Sequence, residues 1–260
     1  MIFKWHEPPG KRQREKLSPL RALLVLALLF AGCATSSCSL QYVDGVAYTE
    51  FVPSAGSGSV VLVLSGSSGP SNVESVADDL VKLGYYVILS DGRLFYNGAP
   101  QSDQNLRKLI LRAQSSPHAR QGKVAVIGLS RGGAAVLVHA SAMPELVAVA
   151  ISYYPVTTGV PDREELVRRW KVPTLAFVGD ADVYIGSLSP TACCLVGAIR
   201  AMATRAKELG TPFELHVYPR AGHAFNLIYF ASYNSAAAED AWKRTVAALQ
   251  HYLVDTVPRD

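Results

Sequence analysis

Six short apolar runs, rich in β-branched residues and separated by longer helix-compatible stretches, constrain this chain more than any other feature. They are residues 60–64, 86–89, 124–127, 147–151, 174–178 and 214–217. Near-continuous apolar character is what a strand buried on both faces demands, because neither side of its pleat meets water. Between and after these runs, residues 73–83, 103–113, 133–142, 195–209 and 239–253 carry apolar residues at three- and four-residue spacing. Gly84 and Gly210 stand where a helix C-terminal stop belongs. Alternation of this kind specifies a mostly parallel central sheet covered by helices on both faces, so the expected fold class is α/β. Residues 40–51 are expected to pair as one or two leading edge strands, and the Ser/Gly-rich patch at 54–59 to form a turn. A chain of 260 residues fits one such domain with a short appendage.

The appendage is legible at the N-terminus. Lys4, Lys11, Arg12, Arg14, Lys16 and Arg21 precede the apolar run 22–30, which ends in the small residues Ala31 and Gly32. A basic region followed by a short apolar run is the pattern of a targeting signal, and the run falls short of the about 20 apolar residues that span a bilayer. The ending Leu29-Phe30-Ala31-Gly32-Cys33 resembles the lipobox of bacterial lipoproteins. That resemblance implies residues 1–33 as a signal peptide with lipid on Cys33, which leaves residues 34–50 as tether and possible leading strand and 51–260 as the α/β domain. The chain would then be exported to the bacterial cell envelope as a periplasm-facing membrane lipoprotein. Plain secretion, with cleavage near residues 34–39, and an uncleaved apolar anchor are the alternatives. The net charge of +4 is concentrated in this leader. The remaining body is nearly neutral and has no basic run, which argues against nucleic acid as a partner.

The chemistry gathers in three places. Gly128-Leu129-Ser130-Arg131-Gly132-Gly133 follows the run 124–127 directly and precedes a helical stretch. A serine on a sharp strand-to-helix turn holds its hydroxyl clear of the sheet, and flanking glycines remove the clashes such a turn would otherwise create. Serine needs a base to take its proton, which points to a histidine on a loop after the last strand. His223, in Tyr218-Pro219-Arg220-Ala221-Gly222-His223-Ala224-Phe225, is so placed. His6, His118, His139, His216 and His251 fall in the leader, before the serine strand, or within strand and helix.

A carboxylate should hold that imidazole, and Gly179-Asp180-Ala181-Asp182 follows the penultimate run. Asp182 is the expected acid, because the nearer Asp180 is better suited to fixing the turn through backbone hydrogen bonds. Asp180 and, more distantly, Asp91 are the competitors. Two amide donors should face a developing oxyanion: that of Arg131, and that of Ser67 in Ser65-Gly66-Ser67-Ser68-Gly69-Pro70, with Ser68 next to it. Tyr153 and Tyr154 end a strand on the same edge as Ser130, Arg93 and Tyr96 follow another, and all four are candidate pocket residues. Arg93 or Arg131 could pair with a substrate carboxylate.

These elements together resemble the dienelactone hydrolase family of α/β-hydrolases. The resemblance is carried by the Gly128–Gly133 turn, by Gly179-Asp180-Ala181-Asp182 followed by Pro190 and the pair Cys193-Cys194, and by Tyr218-Pro219 through His223-Ala224-Phe225. It implies the α/β-hydrolase fold, a triad of Ser130, His223 and Asp182, and cleavage of a small-molecule carboxylic ester, lactone or thioester through an acyl-enzyme. In this family the acid stands three residues after the loop glycine, which favours Asp182. The founding members carry cysteine at the nucleophile position. Ser130 therefore points away from dienelactone itself and toward a general carboxylesterase.

The same triad could serve an acyltransferase or peptidase, and a catalytically silent envelope protein could retain the fold. No His/Cys cluster has metal-ligand spacing, so neither metal nor other cofactor is expected. With Cys33 lipidated, Cys38, Cys193 and Cys194 form an odd set. Adjacent Cys193 and Cys194 cannot easily bridge each other, and Cys38 could pair with one of them.

Overall fold

Each apolar run becomes a strand of one sheet. The computed structural model describes residues 40–96, 101–158, 163–185 and 193–253. The leader, Cys33, Cys38, the 34–39 tether and Pro190 lie outside the described residues. The strands are β1 (Leu40–Val43), β2 (Val46–Phe51), β3 (Val60–Leu64), β4 (Tyr86–Ser90), β5 (Val124–Leu129), β6 (Val147–Tyr153), β7 (Thr174–Gly179) and β8 (Phe213–Tyr218). They form an eight-stranded sheet in the order β1-β2-β4-β3-β5-β6-β7-β8. β1 and β2 are antiparallel to each other, and β2 to β4, whereas every pairing from β4 through β8 is parallel.

The helices are α1 (Glu74–Lys82), α2 (Ser102–Gln114), α3 (Arg131–Val138), α4 (Arg163–Arg169), α5 (Val196–Leu209) and α6 (Ser235–Tyr252). Successive side chains along a strand point to opposite faces, and the core divides accordingly. Val61, Val63, Val87, Leu89, Ile127, Ile151 and Phe177 pack with Ala77 and Leu80 of α1 and with Ala241 and Leu249 of α6. Val60, Leu62, Leu64, Ile88, Val124 and Val126 pack on the other face with Leu106, Leu109 and Ile110 of α2 and with Ala135 and Val136 of α3. Further along, Ala176 and Val178 meet Leu166 and Val167 of α4 and Ile199 and Met202 of α5. Burying one such Val or Leu contributes about 1.5–3 kcal/mol. A one-residue slip would turn every one of these side chains to the wrong face, so the two layers hold the register.

Residues 40–51 pair as two leading strands at one edge of the sheet, with β1 outermost. Two features depart from the expectation. The short helix α4 was not anticipated. Leu166 and Val167 anchor it, with Trp170 just beyond its end, fully buried and donating its indole N–H to the Leu137 carbonyl at 2.7 Å. α6 begins at Ser235, four residues ahead of the expected 239, because Asn234 caps it by accepting from the Ala237 amide at 3.1 Å.

Candidate active site

Parallel strands put their C-terminal ends on one edge of the sheet, and the loops that leave β3, β5, β7 and β8 meet there. At the end of β5, Ser130 has φ 55° and ψ −109°, a conformation that a residue with a side chain adopts only under strain, at a cost of about 1–3 kcal/mol. Three backbone hydrogen bonds hold it. Its amide donates to the Tyr153 carbonyl at 2.9 Å, and its own carbonyl accepts from Ala134 at 2.9 Å and Val156 at 3.1 Å. The neighbouring glycines are dictated by contact. A Cβ on Gly128 would lie 2.1 Å from the Gly132 carbonyl oxygen, and one on Gly132 would lie 2.1 Å from that of Leu64. Strand, turn and helix can close this tightly only without side chains at those two positions.

The Ser130 hydroxyl lies 3.1 Å from His223 Nε2, and His223 Nδ1 lies 2.9 Å from Asp182 Oδ2. A carboxylate at Nδ1 keeps the ring proton there, which leaves Nε2 to accept from the serine hydroxyl. The Asp182 side chain is only 2% exposed and that of His223 12%. Water therefore screens this pair weakly. The other Asp182 oxygen accepts from the Tyr184 amide at 3.1 Å. Asp180 was expected to fix its own turn; its carboxylate instead accepts from the Arg220 amide at 2.6 Å and ties the loop after β7 to the loop after β8. Asp91 instead caps the short turn Gly92–Leu94 and pairs with Arg93.

The imidazole is also held by packing. The Tyr184 ring stacks on it at 4.5 Å and 8° between planes, and the Tyr154 ring meets it edge-on at 4.7 Å. Ser232 donates its hydroxyl to the His223 carbonyl. The Tyr154 hydroxyl donates to Asn226 Oδ1 at 2.8 Å, and burial pushes that phenol well above its ordinary value.

The loop after β3 approaches from the other side. A Cβ on Gly66 would stand 3.1 Å from the Ser130 Cβ, and the Ser65 carbonyl accepts from the Gly132 amide at 3.2 Å. Ser67 and Ser68 thereby line the same cavity as Ser130. Arg131 opens α3, where first-turn amides have no acceptor within the helix. That cavity has a volume of about 370 Å³, and Val73, Tyr154, Val183, Tyr184, Leu227 and Phe230 supply most of its apolar wall.

Of the four candidate pocket residues, only Tyr154 lines the cavity. Tyr153 turns into the core, with its hydroxyl 2.7 Å from Thr245 of α6 and its ring 4.9 Å from Phe177. Arg93 is engaged with Asp91, and Tyr96 donates to the Thr158 carbonyl at 2.6 Å while packing against Ala134, Val156 and the Cys193-Cys194 pair. Tyr184, Leu227 and Phe230 were not anticipated. Tyr184 stands two residues after Asp182 in the chain, but nothing local distinguishes the other two.

Cys193 and Cys194 are buried thiols with Sγ atoms 3.0 Å apart. Cys194 Sγ, an Asp182 carboxylate oxygen and a His223 ring nitrogen lie within 4.8 Å of one another, the one trio among the described residues with the reach to ligate an ion. Asp182 and His223 are bonded to each other, however. The hydrogen bond with Cys193, burial and the Asp182 charge all push the Cys194 thiol up, which keeps it neutral.

Residues 97–253 match the dienelactone hydrolase family. The chain is 30% identical over 136 residues to a protein of Escherichia coli O157:H7 provisionally named a carboxymethylenebutenolidase, a match that covers 50% of this chain and 46% of that one. The chain thus spans about half the length of this relative. A protein of Methylorubrum extorquens with the same provisional name is 23% identical over 257 residues, covering 88% of this chain and 84% of the relative. Among solved structures, the dienelactone hydrolase of Anabaena variabilis superposes with a TM-score of 0.61 at 22% identity, over 83% of this chain and 96% of that one.

Proposed function

Because the chain belongs to the dienelactone hydrolase family and has the α/β-hydrolase fold, we propose that it is a serine hydrolase that cleaves carboxylic esters, lactones and thioesters included. One observation carries this reading: Ser130, His223 and Asp182 are hydrogen-bonded in series at the wall of a cavity large enough for a small ester. His223 takes the Ser130 proton as Oγ attacks the carbonyl carbon, and Asp182 stabilises the imidazolium that forms. The tetrahedral oxyanion is held by the amides of Arg131 and Ser67. Its collapse expels the alcohol, protonated by His223, and leaves an acyl group on Ser130. Water, deprotonated by the same imidazole, then releases the acid.

Turnover of a short p-nitrophenyl ester tests the reading. Wild type is expected to hydrolyse it, and His223→Ala to lose about 10⁴-fold or more in kcat. Equal turnover by the two proteins would favour a silent binding protein of the same fold.

The basic and apolar leader supports export, and the Leu29–Cys33 ending supports a lipid anchor on Cys33 in the cell envelope. Mass spectrometry of the mature N-terminus is expected to find an acylated Cys33 in the membrane-extracted protein. An unmodified Cys33 there would rule the anchor out.

A further inference from the structure

Among the described residues, the wall of the cavity beside Ser130 carries no aspartate, glutamate, lysine or arginine. Its titratable side chains are His223 and the two tyrosines, Tyr154 and Tyr184. Arg93 is bonded to Asp91. Arg131 opens α3 and is not part of the cavity wall. The Asp182 carboxylate, buried behind His223, repels an anion.

The mouth is apolar as well. Val183 (77% exposed) and Ile185 extend from the loop after β7, while Ile228 and Tyr229 (93% exposed) stand between the cavity-lining Leu227 and Phe230. Large apolar side chains left in water beside a cavity mark a surface that meets apolar matter. A bound acyl chain longer than the cavity would find its continuation there.

We propose that the site takes uncharged esters with an apolar acyl group and rejects acyl groups that end in a carboxylate. The inference rests on the ester-hydrolase reading above and narrows it. An apolar chain gains by leaving water for this wall, whereas a carboxylate would lose hydration with no partner to replace it.

The test compares p-nitrophenyl acetate, butyrate and hexanoate with the mono-p-nitrophenyl ester of adipic acid, which matches hexanoate in length but ends in a carboxylate. All four release the same leaving group. From acetate to hexanoate, kcat/KM is expected to rise by up to about fourfold per methylene. The adipate ester is expected to fall roughly 10²-fold or more below hexanoate. Val183→Arg, at an exposed position on the cavity wall, is expected to raise the adipate-to-hexanoate ratio by about tenfold or more. An adipate ester turned over within tenfold of hexanoate, or a series that falls from acetate onward, would overturn the inference and leave the hydrolase reading intact. No turnover of any neutral ester would overturn both.

Discussion

Ser130→Ala is expected to lower kcat on a p-nitrophenyl ester by about 10⁴–10⁶-fold, down to what cavity binding and the oxyanion amides can do alone. The hydroxyl that the variant removes is the one His223 Nε2 contacts, at 3.1 Å. Alanine suffers the same strained backbone at φ 55° as serine, and the three backbone hydrogen bonds at this residue remain, so the variant should fold. The double variant with His223→Ala should be little worse than either single one, since a base without its nucleophile contributes nothing. Steady-state kinetics and thermal unfolding of the three proteins check both statements. Two single losses that multiply in the double variant would mean that Ser130 and His223 do not act as a unit.

The second large effect separates the two carboxylates of one loop. Asp182→Asn is expected to lower kcat by about 10⁴-fold, because an amide at Nδ1 favours the wrong tautomer and leaves Nε2 protonated and unable to accept from serine. Asp180→Asn should stay within about tenfold of wild type. Its Oδ1 holds the Arg220 amide, and an asparagine oxygen can still accept that bond. Kinetics of the two variants side by side decide the assignment. A larger loss in Asp180→Asn would transfer the role to Asp180.

Strands and triad candidates could be read from the residues because their physics is local. β3 through β7 are buried on both faces, so their apolar runs mark them to within a residue or two of the ends that hydrogen bonding sets. Ser130 sits where a strand has just ended, among glycines that a tight backbone approach requires, His223 lies on the loop after the last strand, and chain order restricts the acid to one loop. α4 escaped notice because its sequence, Arg-Glu-Glu-Leu-Val-Arg-Arg, has too short an apolar stripe for periodicity to show. What identifies it is Trp170 reaching the Leu137 carbonyl, a tertiary contact.

The cavity wall was the least legible part. Tyr153 and Tyr154 look equivalent as a pair at a strand end, yet Tyr153 still belongs to the pleat and enters the core, while Tyr154 at φ 34° has left the strand and turns to His223. Leu227 and Phe230 reach the cavity only because the loop after His223 folds back on itself, with the Leu227 amide donating to Ala224 at 2.9 Å and that of Phe230 to Leu227 at 3.0 Å. Side chains brought together by long loops carry no periodic signal. Arg93 was attractive for its charge, but its neighbour Asp91 two residues earlier takes that charge up.

Labelling with a fluorophosphonate probe followed by peptide mapping tests the central claim most directly, because the probe reacts with a serine hydroxyl only where a base and oxyanion donors activate it. The expected result is a single adduct, on the peptide that contains Ser130, absent from Ser130→Ala and strongly reduced in His223→Ala. No adduct on the wild-type protein, an adduct on another residue, or equal labelling of Ser130→Ala would contradict Ser130 as the nucleophile.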